Sequence, residues 1–294
     1  MKLQRIAENY YLSLPIAVGL ALLPLVNWIG LVWATFATLR QNTYLGILAV
    51  GLVGFVNFYL FNNMEFSGLA GEWIGLFAFI APLWAMAYGL RVLRSLNLSL
   101  QIGFFILAIC ALINYGIYGT VTYDELYQYI FQRVFNGETP TTALAQTIQS
   151  VYIEAMVTTT ILAWPMMLFL LQVMLLFIAR YFQSRWYNPG GFKVEFQGLR
   201  LSPYMAVFLV LSFVWAMLAP QNQVSIQIAG LVAMLYSIAG IAFLHWYMNV
   251  KQLDTWWFVL FYVLLFVLSA WALPLLALVA LADSHLDLRT RTKR

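Results

Sequence analysis

Side chains able to do chemistry are few in this sequence and far apart. His245, His285 and Cys110 are the whole complement of soft donors among 294 residues. A zinc-type centre needs three or four such ligands, usually with some of them close in sequence. This set supplies none, so neither a metal nor a cofactor is expected. The signatures HExxH, GxSxG and GxxxxGKS/T do not occur either, which points away from an enzyme. Cys110 stands inside an apolar run and reads as a small buried hydrophobe. His245, followed by Trp246 and Tyr247, reads as an interfacial histidine in an aromatic belt.

What remains is a set of polar residues inside apolar runs: Asn57, Asn114, Gln172 and Gln227, with Glu154 opening a span and Thr158, Thr159 and Thr160 one turn on. Aromatic residues bracket two of them, Phe55, Phe58 and Tyr59 around Asn57, and Tyr115 and Tyr118 around Asn114. That texture suits a ring-shaped ligand. An ionisable residue at membrane depth usually faces the interior and is paired. Asn57, Asn114 and Glu154 are therefore the ligand-binding candidates. Hydrogen bonding between helices explains isolated Asn and Gln equally well.

The elements that must position these residues follow from composition. Hydrophobic residues make up 63% of the chain and charged ones 9%, against about a quarter charged in a soluble domain. Apolar runs of the length that crosses roughly 30 Å of hydrocarbon recur throughout. The class is all-α, a polytopic transmembrane helical bundle of about eight or nine hydrophobic segments in one integral membrane domain, 1–294. Strands alternating polar and apolar residues, the mark of a membrane barrel, are not present. Core helices are expected over 4–182 and additional C-terminal helices over 202–282. The first apolar region is too long for one span and holds Pro24 near its middle, so region 4–39 is predicted to be a short helix pair.

The formal net charge of +4 sits in short loops and termini rather than on a basic stripe, so the partner is the lipid bilayer and not nucleic acid. Residues 122–136 are predicted to form an amphipathic helix at the membrane interface, with Leu126, Ile130, Phe131, Val134 and Phe135 on its apolar face. Basic residues of 180–200 belong inside and the acidic 121–150 segment outside, in a bacterial inner (cytoplasmic) membrane crossed several times. The basic tail should also be inside, which needs a break in the last apolar block. Pro274 is the expected place.

The most distinctive stretch is WYNPGGFKVEFQGLRL, residues 186–201. Asn188-Pro189-Gly190-Gly191 is a turn with a glycine for the positive φ. Phe192, Phe196, Leu199 and Leu201 are expected against the membrane face, with Lys193, Glu195 and Arg200 in water. This loop, together with the ending Asp283…Asp287-Leu-Arg289, resembles the YybS-like family of bacterial membrane proteins of unknown function. That family is distantly similar to the substrate-binding S components of energy-coupling-factor transporters. The resemblance implies an S-component-like core of about six helices that begins with a short helical pair. It also implies an AxxxA face on the first helix that packs on a partner membrane protein, where Ala17 and Ala21 stand.

Two functions of different kinds are consistent with these residues. The first is a non-enzymatic component that binds or helps transport a small molecule. The second is an accessory or scaffold protein that organises other envelope proteins. A binding component needs a polar-lined cavity reachable from outside near Asn57, Asn114 and Glu154; a scaffold needs a packed interior and an exposed groove of small residues.

Overall fold

A computed structural model describes residues 9–23, 26–40, 43–61, 69–118, 121–135, 137, 139–140, 142–220 and 222–291. Among the described residues all regular structure is helical. The helices are α1 (Tyr10–Ala21), α2 (Asn27–Arg40), α3 (Thr43–Phe61), α4 (Leu69–Leu93), α5 (Leu96–Tyr118), α6 (Val121–Phe135) and α7 (Ala143–Tyr187). They continue as α8 (Gly191–Gln197), α9 (Pro203–Leu218), α10 (Gln223–Val250), α11 (Thr255–Val267), α12 (Ser269–Leu286) and α13 (Leu288–Arg291). Four of them, α4, α5, α7 and α10, are long and apolar enough to cross a membrane, and α11 with α12 make a fifth span if that bent pair is counted as one. The chain is thus built for an apolar, bilayer-like surrounding.

The first apolar region does break into two short helices, with Pro24 itself outside the described residues. They run antiparallel: the Trp33 indole donates to Ser13 Oγ (3.0 Å). A Cβ added at Gly30 would lie 2.6 Å from the Ala17 carbonyl oxygen and 3.2 Å from the Ala21 Cα. Glycine and two alanines let the backbones meet. At 1.5 Å per residue each helix is only about 18–21 Å long, so the pair enters the bundle and returns to the end it came from. We call this the basic end, because α2, α4 and α7 all finish there in arginine-bearing turns.

Long helices in an apolar medium must account for every backbone polar group, and two prolines make that harder. Pro82 lies inside α4 and gives no N–H to the Ala78 carbonyl. The Gln172 side chain, reaching across from α7, donates to that oxygen at 2.8 Å and to Phe79 O at 3.1 Å. Pro165, inside α7, likewise frees the Ile161 carbonyl, and Gln227 of α10 donates to it at 2.7 Å. The two glutamines therefore link α4 to α7 and α7 to α10.

Of the four long apolar helices α10 is the most buried, and it packs on α5, α7, α9 and α12. Against α12 the approach is close. Ser237 Oγ donates to the Leu273 carbonyl (2.8 Å), and a Cβ at Gly240 would run into the Leu276 backbone. The last block bends by 119° between α11 and α12. The break falls at Leu268, not at Pro274, which lies inside α12. Pro274 frees only the Ala270 carbonyl, inside the first turn of α12, so the proline does not itself make the break at Leu268, six residues before it. Leu273 and Leu276 lie level with Ser237 and Gly240, so α12 descends beside α10 and returns the chain to the basic end.

The amphipathic helix is present as α6. Its Ile130 is buried against Ile153, Val157 and Ile161 of α7, while Val134 on the same expected face stays exposed. So α6 braces the upper part of α7, whose 45 residues extend about 68 Å.

Substituting Gly240 by Leu should lower stability by about 2–3 kcal/mol through overpacking. Gly51→Ala, at a helical glycine with open space around it, should instead be neutral or stabilising by up to about 1 kcal/mol. Unfolding of both variants in mild detergent checks the pair.

Candidate functional site

The two distinctive sequence stretches meet at the basic end. The Asn188–Gly191 turn closes as its residues demand: Gly190 takes φ 85° and the Gly191 N–H donates to Asn188 O (2.9 Å). Ser184, on the last turns of α7, accepts from Phe192 N–H (3.0 Å) and donates to Asn188 O (2.9 Å). This swings α8 back under the bundle. Phe192 and Phe196 pack on Phe177. Leu199 and Leu201, expected at the membrane face, are instead buried in the core at 1% and 3% exposure.

Three ion pairs then fasten the segment. Arg180 Nε donates to Glu195 Oε2 (2.9 Å), with a second, shorter contact between the same two groups. Arg200 pairs with Asp287 (2.6 Å) and reaches the Ser284 carbonyl (3.2 Å). Arg289 pairs with Asp283 (2.8 Å) and also donates to the carbonyls of Gln197 and Leu199. Its guanidinium lies near the rings of Phe243 and Trp246. One arginine thus serves two carbonyls at and just past the end of α8 and one oxygen of a buried carboxylate together. Burial pushes the Arg289 guanidinium below its ordinary value, and the Asp283 carboxylate opposes that shift. Arginine titrates so high that it remains charged.

His245 sits beside this latch. Its ring is 2.8 Å from the Tyr262 hydroxyl and meets Phe196 and Phe258 edge-on. Its carbonyl accepts from Gln197 Nε2 (3.2 Å). His285 is exposed on α12. Cys110 is buried. Among the described residues no group of three or more His, Cys, Asp or Glu is placed to hold a metal.

The ligand candidates are placed differently. Asn57 is buried on α3 and donates to the Val53 carbonyl of its own helix (2.9 Å). Asn114 is half-buried on α5, and Glu154 is exposed on α7. Helix α3 packs mainly on α1, α2 and α4, and α7 mainly on α2, α6 and α10, so Asn57 and Glu154 sit on helices with different neighbours. Ala17 and Ala21 are fully buried, with α2 of the same chain against them.

The chain matches no protein-family model, no curated protein and no solved structure. Its site is therefore read from geometry alone. The partners Arg289–Asp283 and Arg200–Asp287 escaped the sequence reading, which placed Arg200 in water. The signal was there in part: each short stretch holds both an acid and an arginine, Glu195 with Arg200 and Asp283 and Asp287 with Arg289, while their surroundings are apolar.

A buried ion pair that loses one partner costs about 3–5 kcal/mol, whereas a half-exposed one is worth under about 1 kcal/mol. Arg289→Gln should therefore destabilise the protein far more than Arg200→Gln. Adding Asp283→Asn to Arg289→Gln should recover part of the loss. Denaturant unfolding of the three variants checks the order.

Proposed function

We propose that this chain is a non-enzymatic, multi-pass component of the bacterial inner membrane that organises other membrane proteins, with its basic end in the cytoplasm. The observation that carries the reading is the use made of interior polar groups. Gln172, Gln227 and Asn57 hydrogen-bond helix backbones, and Arg180, Arg200 and Arg289 bind acids of the same chain. Gln172, Gln227 and the three arginines tie one segment to another, and Asn57 is spent on its own helix; donors engaged in this way are not free to select a solute. Kinship with the YybS-like family and its S-component-like core belongs to the same proposal. It is supported by the short helix pair at the start and by the meeting of the two motif stretches.

A small-molecule component is the second reading, and one observation favours it. Gln172 Oε1 and Trp84 Nε1 are buried with no hydrogen-bond partner among the described residues, so polar capacity is left unused in the interior.

Native mass spectrometry of gently extracted protein separates the two. The scaffold reading expects a retained protein subunit and no stoichiometric small molecule; a retained solute would overturn it in favour of the second. Sidedness is checked by placing single cysteines at Gln146 and Val194, both exposed, in a Cys110→Ser background. Membrane-impermeant reagent applied to intact cells should label the first and not the second. Labelling of both from one side contradicts the orientation.

A further inference from the structure

The three ion pairs have a consequence for the surface. They occupy Glu195, Asp283 and Asp287, which with Asp254 are the acids of the basic end among the described residues. Arg40, Arg91, Arg94 and Arg185 are left exposed with no acid paired to them among the described residues.

These four arginines share one region. Gln183 donates to the Leu39 carbonyl and the Arg40 guanidinium stacks 3.7 Å over the Tyr187 ring, tying the end of α2 to the last turn of α7, where Arg185 stands. On α3, Gly54 faces Ile80 and Gly75 faces Phe58, so α3 and α4 run antiparallel in a register that sets Arg91 level with Thr43, just past Arg40. Arg94 follows in the α4–α5 turn with φ 52°. Glycine or asparagine takes that left-handed conformation more cheaply, so this turn is not one whose geometry selects arginine.

Depth decides the chemistry of the ligand. The arginines end apolar helices, and exposed Val92, Leu93 and Phe182 lie within three residues of them. A ligand here meets cations and hydrocarbon-facing side chains together. Guanidinium groups pair with phosphate bidentately, and cations at a membrane surface gain most against anionic lipid. We propose that Arg40, Arg91, Arg94 and Arg185 form a binding surface for the phosphate headgroups of anionic phospholipids. The proposal rests on the membrane reading but not on the scaffold role.

The test uses the full chain in mixed detergent–lipid micelles, with retained lipid counted by mass spectrometry. Phosphatidylglycerol should be held in preference to phosphatidylcholine, and the preference should weaken at high salt. The R40Q/R91Q/R94Q/R185Q variant should lose about tenfold or more of that preference. Arg133→Gln, on α6 at the opposite end, should leave it unchanged. R91Q/R94Q, confined to exposed residues at one turn, should show a partial loss and decides the matter if the fourfold variant unfolds. Equal retention of the two lipids, or an R91Q/R94Q variant with unaltered preference, overturns the proposal. So does displacement of the lipid by millimolar inorganic phosphate, which would mark a site for free phosphate.

Discussion

A backbone carbonyl facing apolar surroundings without a donor costs several kcal/mol, and Pro82 and Pro165 each create one in the middle of a long helix. Both oxygens are answered from the next helix by a glutamine, Gln172 to Ala78 and Gln227 to Ile161. Because each glutamine must lie level with the carbonyl it serves, the two bonds set the relative height and rotation of α4, α7 and α10. The other helices are added around that series: α5 and α9 on α10, α2 on α7, α3 on α4. Apolar contact alone would leave such helices free to slide, since lipid and leucine are alike to them.

At the basic end charge does what glutamine does in the interior. Arg289 is held by Asp283 and by two carbonyls at the end of α8, so the chain's return to this end is fixed to the segment that follows α7. Small residues complete the arrangement, Gly30 between Ala17 and Ala21 at the first hairpin and Gly240 under Leu276 at the last. Helix α11 is the exception. It is apolar along its length and none of its residues is buried; a polar tie to the body is the His245–Tyr262 bond. A groove of about 480 Å³ along Phe258, Tyr262 and Phe266 lies on this helix.

Apolar runs and prolines carried most of the helix placement into view from the sequence. The interruption between α1 and α2 and the extent of α6 were legible because each depends on a few neighbouring residues. Gln172 and Gln227 were visible as polar residues in spans, but their partners lie 94 and 66 residues away. No local pattern reports such a distance. Pro274 misled because the carbonyl it frees, Ala270, lies inside α12, and the break comes six residues before the proline, at Leu268. Leu199 and Leu201 misled for a different reason: a leucine beside a basic loop reads as lying on the membrane face, and the ion pairs of Arg200 and Arg289 with distant acids draw the segment into the core instead. Asn57, Asn114 and Glu154 were chosen by residue type, and type does not say which way a helix turns.

The account turns on glutamine answering proline, and a double-mutant cycle on Pro82 and Gln172 tests that directly. Gln172→Leu in the natural background should cost about 1–2 kcal/mol, the scale of an interhelical side-chain bond in an apolar bundle. In a Pro82→Ala background, residue 82 regains an N–H for the Ala78 carbonyl, and the same substitution should cost about 1 kcal/mol less, a coupling well above the scatter of independent sites. Equal costs in the two backgrounds would contradict the account and leave Gln172 as an ordinary buried side chain.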